Sequence, residues 1–202
     1  RKRILKDVAS TACARGPLLL SAIFATYALQ WLTVMGFLPT LLIEDHGMSP
    51  ARASVLTAIM VAMIMPGNLA GGWALQRGAR RWQLIAFGSL IMGLCSLAIY
   101  SPIWPFIIRY GACLLFSGVG GLIPSSVLSG APVYAPSPDL VASTNGLLIQ
   151  GAQLGQLVGP PVLGLIVLST GGWQLAPWFL GFSAVLGIIL SLFLGRLTAH
   201  SK

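Results

Sequence analysis

The 202 residues are 56% hydrophobic and only 8% charged, yet the formal net charge is +8. So few charges leave too little polar sequence for a soluble domain of this length. The charge does not point to nucleic acid either, and no such partner is expected. Ten of the twelve Lys and Arg residues fall in three places that would share one side of a membrane.

Six apolar stretches predict an all-α polytopic membrane protein, with spans at roughly 17–43, 53–75, 83–101, 103–130, 142–170 and 173–195. Each is close to or above the about 20 residues that cross a bilayer at about 1.5 Å per residue. Ahead of them, residues 1–16 form a basic segment with Arg1, Lys2, Arg3, Lys6 and Arg15. Span 1 is longer than the about 7–15 apolar residues of a signal-peptide core, so it is expected to be retained. Because the chain starts at Arg1 rather than Met, it is expected to have been cut from a longer one. Span 1 carries Thr26, Tyr27, Gln30, Trp31 and Thr33, and the connection after it holds Glu44, Asp45, His46 and Arg52.

Span 2 contains Asn68 and the helix breakers Pro66, Gly67, Gly71 and Gly72, and the second connection carries Arg77, Arg80 and Arg81. Away from their ends, spans 3 and 6 have only Ser89, Cys95, Ser96, Ser183 and Ser191 as polar groups. Span 4 holds Arg109 about two turns from its outer end, then Ser125, Ser126 and Ser129, and a Pro-rich loop runs from Ala131 to Val141. Span 5 carries Asn145, Gln150, Gln153 and Gln156, and the tail at 198–202 ends on Lys202. With the basic connections inside, both termini are expected in the cytoplasm of a multi-pass cell-membrane protein. Trp73, Trp82, Trp104, Trp173 and Trp178 sit near span ends, where an amphipathic ring suits the headgroup layer. Cys13, Cys95 and Cys113 are an odd number and give no disulfide framework.

In hydrocarbon a polar side chain is costly unless it faces protein or water. Spans 1, 2, 4 and 5 therefore read as cavity walls and spans 3 and 6 as lipid-facing, the order expected of a 3+3 inverted repeat. On span 5, Gly151, Gly155 and Gly159 share one face and Gln150, Gln153 and Gln156 the opposite one. The glycine face suits close helix packing, and Pro160–Pro161 removes helix hydrogen bonds and allows a bend. The glutamines, Gln30, Tyr27 and Trp31 are candidates either for substrate contact or for ordinary interhelical packing. Arg109 cannot shed its charge, and no Asp or Glu lies within a predicted span to pair with it. It is therefore either an anion-binding or gating charge or a side chain that snorkels to the outer interface.

Several chemistries are excluded by absence. His46 and His200, the only histidines, lie outside the predicted bilayer, so no base reaches Ser117 for an intramembrane serine protease. There is no His-Glu-x-x-His zinc motif, no Asn-Pro-Ala pair of a water channel and no phosphate-cradling loop. No enzymatic activity, metal or other cofactor is expected.

The stretch from Gly72 to Arg81 resembles the cytoplasmic loop signature of the major facilitator superfamily, G-x-L-A-D-R-x-G-R-K. Gly72 holds the first glycine, Arg77 the first Arg, and Arg80 and Arg81 the closing basic pair, while Gln76 stands for Asp and Ala79 for the second Gly. The loosening is similar to the second copy of the signature in the C-terminal half of these carriers. The run from Asn145 to Gly164, followed by Gly172–Trp173, resembles the eleventh helix and the start of the twelfth. Trp31, Phe37 to Thr40 and Asp45 to Ser49 are similar to the cyanate-permease-like branch.

The resemblance implies one six-helix half, helices seven to twelve, of a twelve-helix carrier that works by rocking of two bundles about a midplane site. It implies Gly72, Arg77, Arg80 and Arg81 as a cytoplasmic gate loop. It also implies the missing N-terminal half, or a second copy of the chain, as partner within the bilayer. The expected function is secondary active transport of a small solute, with a small anion as the candidate that would suit Arg109. The alternative is a non-transport membrane scaffold or assembly subunit, which would have no need of Arg109 and a glutamine face at middle depth.

Overall fold

The computed structural model describes residues 9–200. Arg1, Lys2, Arg3, Lys6 and Lys202, on which part of the charge argument rests, lie outside them. Span 1 is one long helix, α1 (Arg15–His46), with Pro39 inside it. It stops at Gly47, whose φ of 59° places it in the left-handed region and whose N–H donates to the Ile43 carbonyl. This helix outruns the predicted span at its C-terminal end and takes in Glu44, Asp45 and His46.

Span 2 is two helices, α2 (Pro50–Ala62) and α3 (Ile64–Gln76). Ser49 caps α2, with Pro50 at its first position. The interruption at Met63 has a local cause: Pro66 has no N–H for the Ala62 carbonyl, and its ring crowds it. Span 3 is α4 (Arg81–Ile99). Span 4 repeats the device of span 2, as α5 (Phe106–Gly120) and α6 (Leu122–Leu128) separated at Gly121, three residues ahead of Pro124.

The Pro-rich connection, expected to be loop, forms a single turn of helix, α7 (Ala131–Tyr134), and a 3-10 turn at Pro138–Leu140. Its Tyr134 ring lies so close to Gly16 that an added Cβ there would meet it at 2.8 Å. Span 5 is α8 (Val141–Thr170), continuous through Pro160 and Pro161. The interruption that matches the one in span 2 falls in span 4, while span 5 carries its two prolines within one unbroken helix. The carbonyls that Pro160 and Pro161 leave without partners belong to Gln156 and Leu157, which lie off the buried face, so the packed side of the helix runs on undisturbed. Span 6 is α9 (Ala176–His200). These six helical segments are each long and apolar enough to cross a membrane, and the described residues contain no strand.

The helices pack in the order 5, 1, 6, 3, 4, 2. Exchanging the first three spans with the last three maps this order onto itself: the 1–5 contact corresponds to 4–2, 1–6 to 4–3, and 3–6 to itself. The close contacts follow the same rule. Span 5 lays Gly151, Gly155 and Gly159 on Ser21, Ala25, Leu29 and Thr33 of span 1, so closely that any Cβ would run into backbone or hydroxyl atoms. Span 2 lays Gly67 and Gly71 on Gly118, Gly121, Leu122 and Ser125 of span 4 in the same manner. With lipid as apolar as leucine, burial from water does not drive these contacts; backbone approach through small residues does. Spans 3 and 6 meet at the back of the bundle and turn Phe87, Leu90, Leu94 and Leu97, and Phe182, Val185, Ile189 and Leu192, outward.

Candidate functional site

Arg109 is 6% exposed, and each of its three guanidinium nitrogens has a polar neighbour. One terminal nitrogen donates to Asp45 Oδ2 at 2.7 Å, Nε donates to the Ile99 carbonyl at 2.9 Å, and the other terminal nitrogen lies 3.4 Å from His46 Nε2. The expectation that no carboxylate would pair with it is therefore corrected. Asp45 sits in the last turn of α1, inside the helix rather than in the connection, because the helix runs on to the Gly47 stop. Phe106 packs edge-on against His46 and stacks on Tyr110, so the charge cluster sits over an aromatic floor. The pair joins the C-terminal end of span 1 to the N-terminal end of span 4, and the Ile99 carbonyl adds the C-terminal end of span 3. Beside it, a pocket of about 410 Å³ is lined by Glu44, Asp45, Tyr100, Trp173 and Gln174.

A second guanidinium clamps the opposite end. Arg81 donates from Nε to the Ser126 carbonyl at 2.7 Å and from a terminal nitrogen to the Ser129 carbonyl at 3.0 Å. These are carbonyls at the end of α6 that lack helical partners, where a cation is favoured. Of the residues expected to form the gate loop, Arg81 is thus a tie within the bundle. Arg77 lies over the Trp73 ring, 4.1 Å from its centroid, and Arg80 is exposed. Gly72 has open space where a Cβ would be, whereas Gly78, with φ at 87°, makes the turn.

The polar residues at middle depth divide into two groups. Tyr27 and Gln30 are buried inside the bundle, and neither reaches its surface. Gln30 donates to the Thr26 carbonyl at 3.2 Å, while its Oε1 and the Tyr27 hydroxyl are buried without partners. Both side chains therefore sit within the packed seam of the bundle and not on its open face. They share the 3–4 spacing of Leu20, Ile23, Phe24, Val34 and Leu38, which is the buried stripe of α1. Trp31 is half-buried, and its indole N–H donates to Ser117 Oγ at 3.4 Å. Gln150 and Gln153 are exposed and Gln156 half-buried, on the side of α8 away from span 1.

This division has an energetic meaning. The outward faces of spans 3 and 6 are apolar along their middle turns, whereas span 5 exposes amide side chains there. An amide turned to hydrocarbon loses its hydrogen bonds to water, so the face bearing Gln150 and Gln153 belongs against protein or water.

The profile of the Major Facilitator Superfamily matches residues 18–202. Two di-/tripeptide transporters, from Lactococcus lactis subsp. lactis (strain IL1403) and Lactococcus lactis subsp. cremoris, are each 24% identical over 148 residues, which is 73% of this chain and 29% of theirs. Crystal structures of a mutant of the peptide transporter POT, in complex with sulfate and with alafosfalin, superpose with a TM-score of 0.78 at 17% identity. They cover 89% of this chain and 37% and 38% of their own, so the likeness is one of fold, and the chain spans well under half the length of the proteins it matches. The six helices, their packing order and this match together place the chain in the Major Facilitator Superfamily.

Proposed function

We propose that this chain is one six-helix half, the C-terminal one, of a secondary active transporter that carries a small polar solute by alternating access. The observation that carries the reading is the exposed amide face of span 5, Gln150 with Gln153, in a bundle whose rear is wholly apolar at the same depth. A second six-helix bundle placed against spans 1, 2, 4 and 5 would enclose that face in an aqueous cavity, with Trp31 beside it. The positive-inside distribution supports a multi-pass cell-membrane protein with both termini cytoplasmic, the Arg77 and Arg80 turn near the inner gate, and the Arg109–Asp45 pair at the outer end.

The two guanidinium ties, one at each end, make the half suited to move as a rigid body. Arg109 with Asp45 holds spans 1, 3 and 4 together outside, and Arg81 holds spans 3 and 4 together inside. Rocking of such a body against its partner exposes the site to each side in turn. The neutralising Asp45 speaks against a free anion site at Arg109 in this conformation. The amide face instead suits a solute recognised by hydrogen bonds, a class that includes the di- and tripeptides named for the Lactococcus relatives.

Uptake into proteoliposomes tests the proposal, with radiolabelled dipeptides, small anions and neutral solutes offered to this chain alone and to the chain joined to its upstream coding sequence. Uptake by the longer protein only, strongest for dipeptides, is the expected result. No uptake of any solute by either, with both correctly folded, would favour the scaffold reading.

A further inference from the structure

At the end of the bundle that carries Arg80 and Arg81, residues of spans 1 and 6 line a groove of about 640 Å³. Its walls include Leu18, Ala22, Phe193 and Leu197, and its rim is Arg15 and Arg196. Arg15 opens α1 and Arg196 lies in the last turns of α9, so the guanidiniums stand at headgroup depth and the apolar walls run inward beneath them. Arg196 is held over the Phe193 ring, 5.7 Å from its centroid, which keeps its charge above the groove. Among the described residues the one ion pair is that of Arg109 with Asp45 at the far end, and neither Arg15 nor Arg196 has an acidic partner there. A smaller pocket of about 320 Å³ on the other flank of span 6, with Arg80, Trp82 and Arg196, extends the positive field around that helix end.

We propose that this groove is a binding site for one anionic phospholipid, its phosphate between Arg15 and Arg196 and an acyl chain along Leu18, Ala22, Phe193 and Leu197. Charge complementarity selects the occupant. Two cations over an apolar trough, with no acidic partner among the described residues, match an amphiphile with a negative head, and basic pockets between helices on the positive-inside face suit anionic headgroups. Guanidinium nitrogens match phosphate oxygens in pairs. A zwitterionic lipid brings its own cation to the rim, and an apolar partner helix would leave both arginines without counter-charge. The lipid would bridge span 1 of the first repeat to span 6 of the second at this end, whereas deeper in the bundle the Ser183 hydroxyl already ties them by donating to the Thr26 carbonyl at 3.1 Å.

The test is native mass spectrometry of the chain released from micelles that contain equal amounts of phosphatidylglycerol and phosphatidylcholine. The wild type is expected to retain phosphatidylglycerol preferentially. Arg15→Gln and Arg196→Gln should each cut that preference about fivefold, the effect of one basic side chain near an anionic surface. Ala22→Phe, which fills the trough and leaves both charges in place, should also lose the lipid, while Arg77→Gln, away from the groove, should keep it. Equal retention of the two lipids by the wild type would overturn the proposal. So would undiminished retention in Ala22→Phe, which would reduce the effect to general surface charge, or displacement of phosphatidylglycerol by millimolar inorganic phosphate. Elution of each variant as a monodisperse species separates lipid loss from misfolding.

Discussion

Gly155→Leu is expected to abolish the folded bundle. A Cβ at this position would run into the Ala25 carbonyl and approach the Leu29 amide nitrogen at 3.0 Å, so the obstacle is backbone that cannot turn aside. Overpacking a well-filled site costs about 1–3 kcal/mol even when side chains can shift. Here the whole of span 5 would have to lift from span 1, and the loss should reach about 3 kcal/mol or more. The same outcome is expected for Gly67→Leu, where the Gly118 carbonyl blocks the way on the symmetry-related contact. Gly36→Leu is the matched control, because nothing lies within 4 Å of its would-be Cβ. Size-exclusion elution and thermal unfolding in detergent read all three. Normal yield and melting for Gly155→Leu would refute the claim that glycine contacts hold spans 1 and 5 together.

The second large effect concerns the Arg109–Asp45 pair. Breaking a buried pair by removing one partner commonly costs about 3–5 kcal/mol, but the Asp45 side chain is 35% exposed, so about 1–2 kcal/mol is expected here. Asp45→Asn and Arg109→Gln should each lower the unfolding midpoint. Their double variant should lose much less than the sum, because each single change already leaves the other group without its partner. In the longer protein Arg109→Gln should also abolish uptake while the protein still inserts into the membrane. Additive losses would mean that the two side chains do not act as a pair, and unchanged uptake would confine Arg109 to a structural role.

What was legible in the sequence depended on how local its physics was. Six apolar runs imply six helices because backbone in lipid must satisfy its own hydrogen bonds, and the glycine stripe of span 5 reads directly as a packing face because Gly151, Gly155 and Gly159 recur every four residues. In the partner contact Gly67 and Gly71, which pack against Gly118 and Gly121, have the same four-residue spacing, but Pro66 beside them makes those glycines read as helix breakers. Pro66 does break span 2, at Met63, and Pro124, with Gly120 and Gly121 ahead of it, is the equivalent signal for the interruption in span 4.

The Arg109–Asp45 pair is hidden by a boundary. Ending span 1 at its last apolar residue puts Asp45 in a loop, although Gly47, a ready left-handed stop, marks the helix end after His46. Tyr27 and Gln30 illustrate a different limit. A polar residue in mid-span faces either a cavity or a seam between helices, and only their registration with Leu20, Phe24 and Val34 on one stripe reveals the seam. Gln150 and Gln153 escape that ambiguity because the glycine face opposite them fixes which side of the helix is packed.

Thiol labelling tests the central claim, that the Gln150–Gln153 face lines a water-filled solute path. In the longer protein, with Cys13→Ser removing the exposed native thiol and Cys95 and Cys113 left buried, single substitutions Gln150→Cys, Gln153→Cys, Leu90→Cys and Ile189→Cys are exposed to a membrane-impermeant thiol reagent. The account predicts rapid labelling of Gln150→Cys and Gln153→Cys, slowed by transported solute, and none of Leu90→Cys or Ile189→Cys on the lipid face. Inert cysteines at 150 and 153, in protein that is otherwise folded, would contradict it.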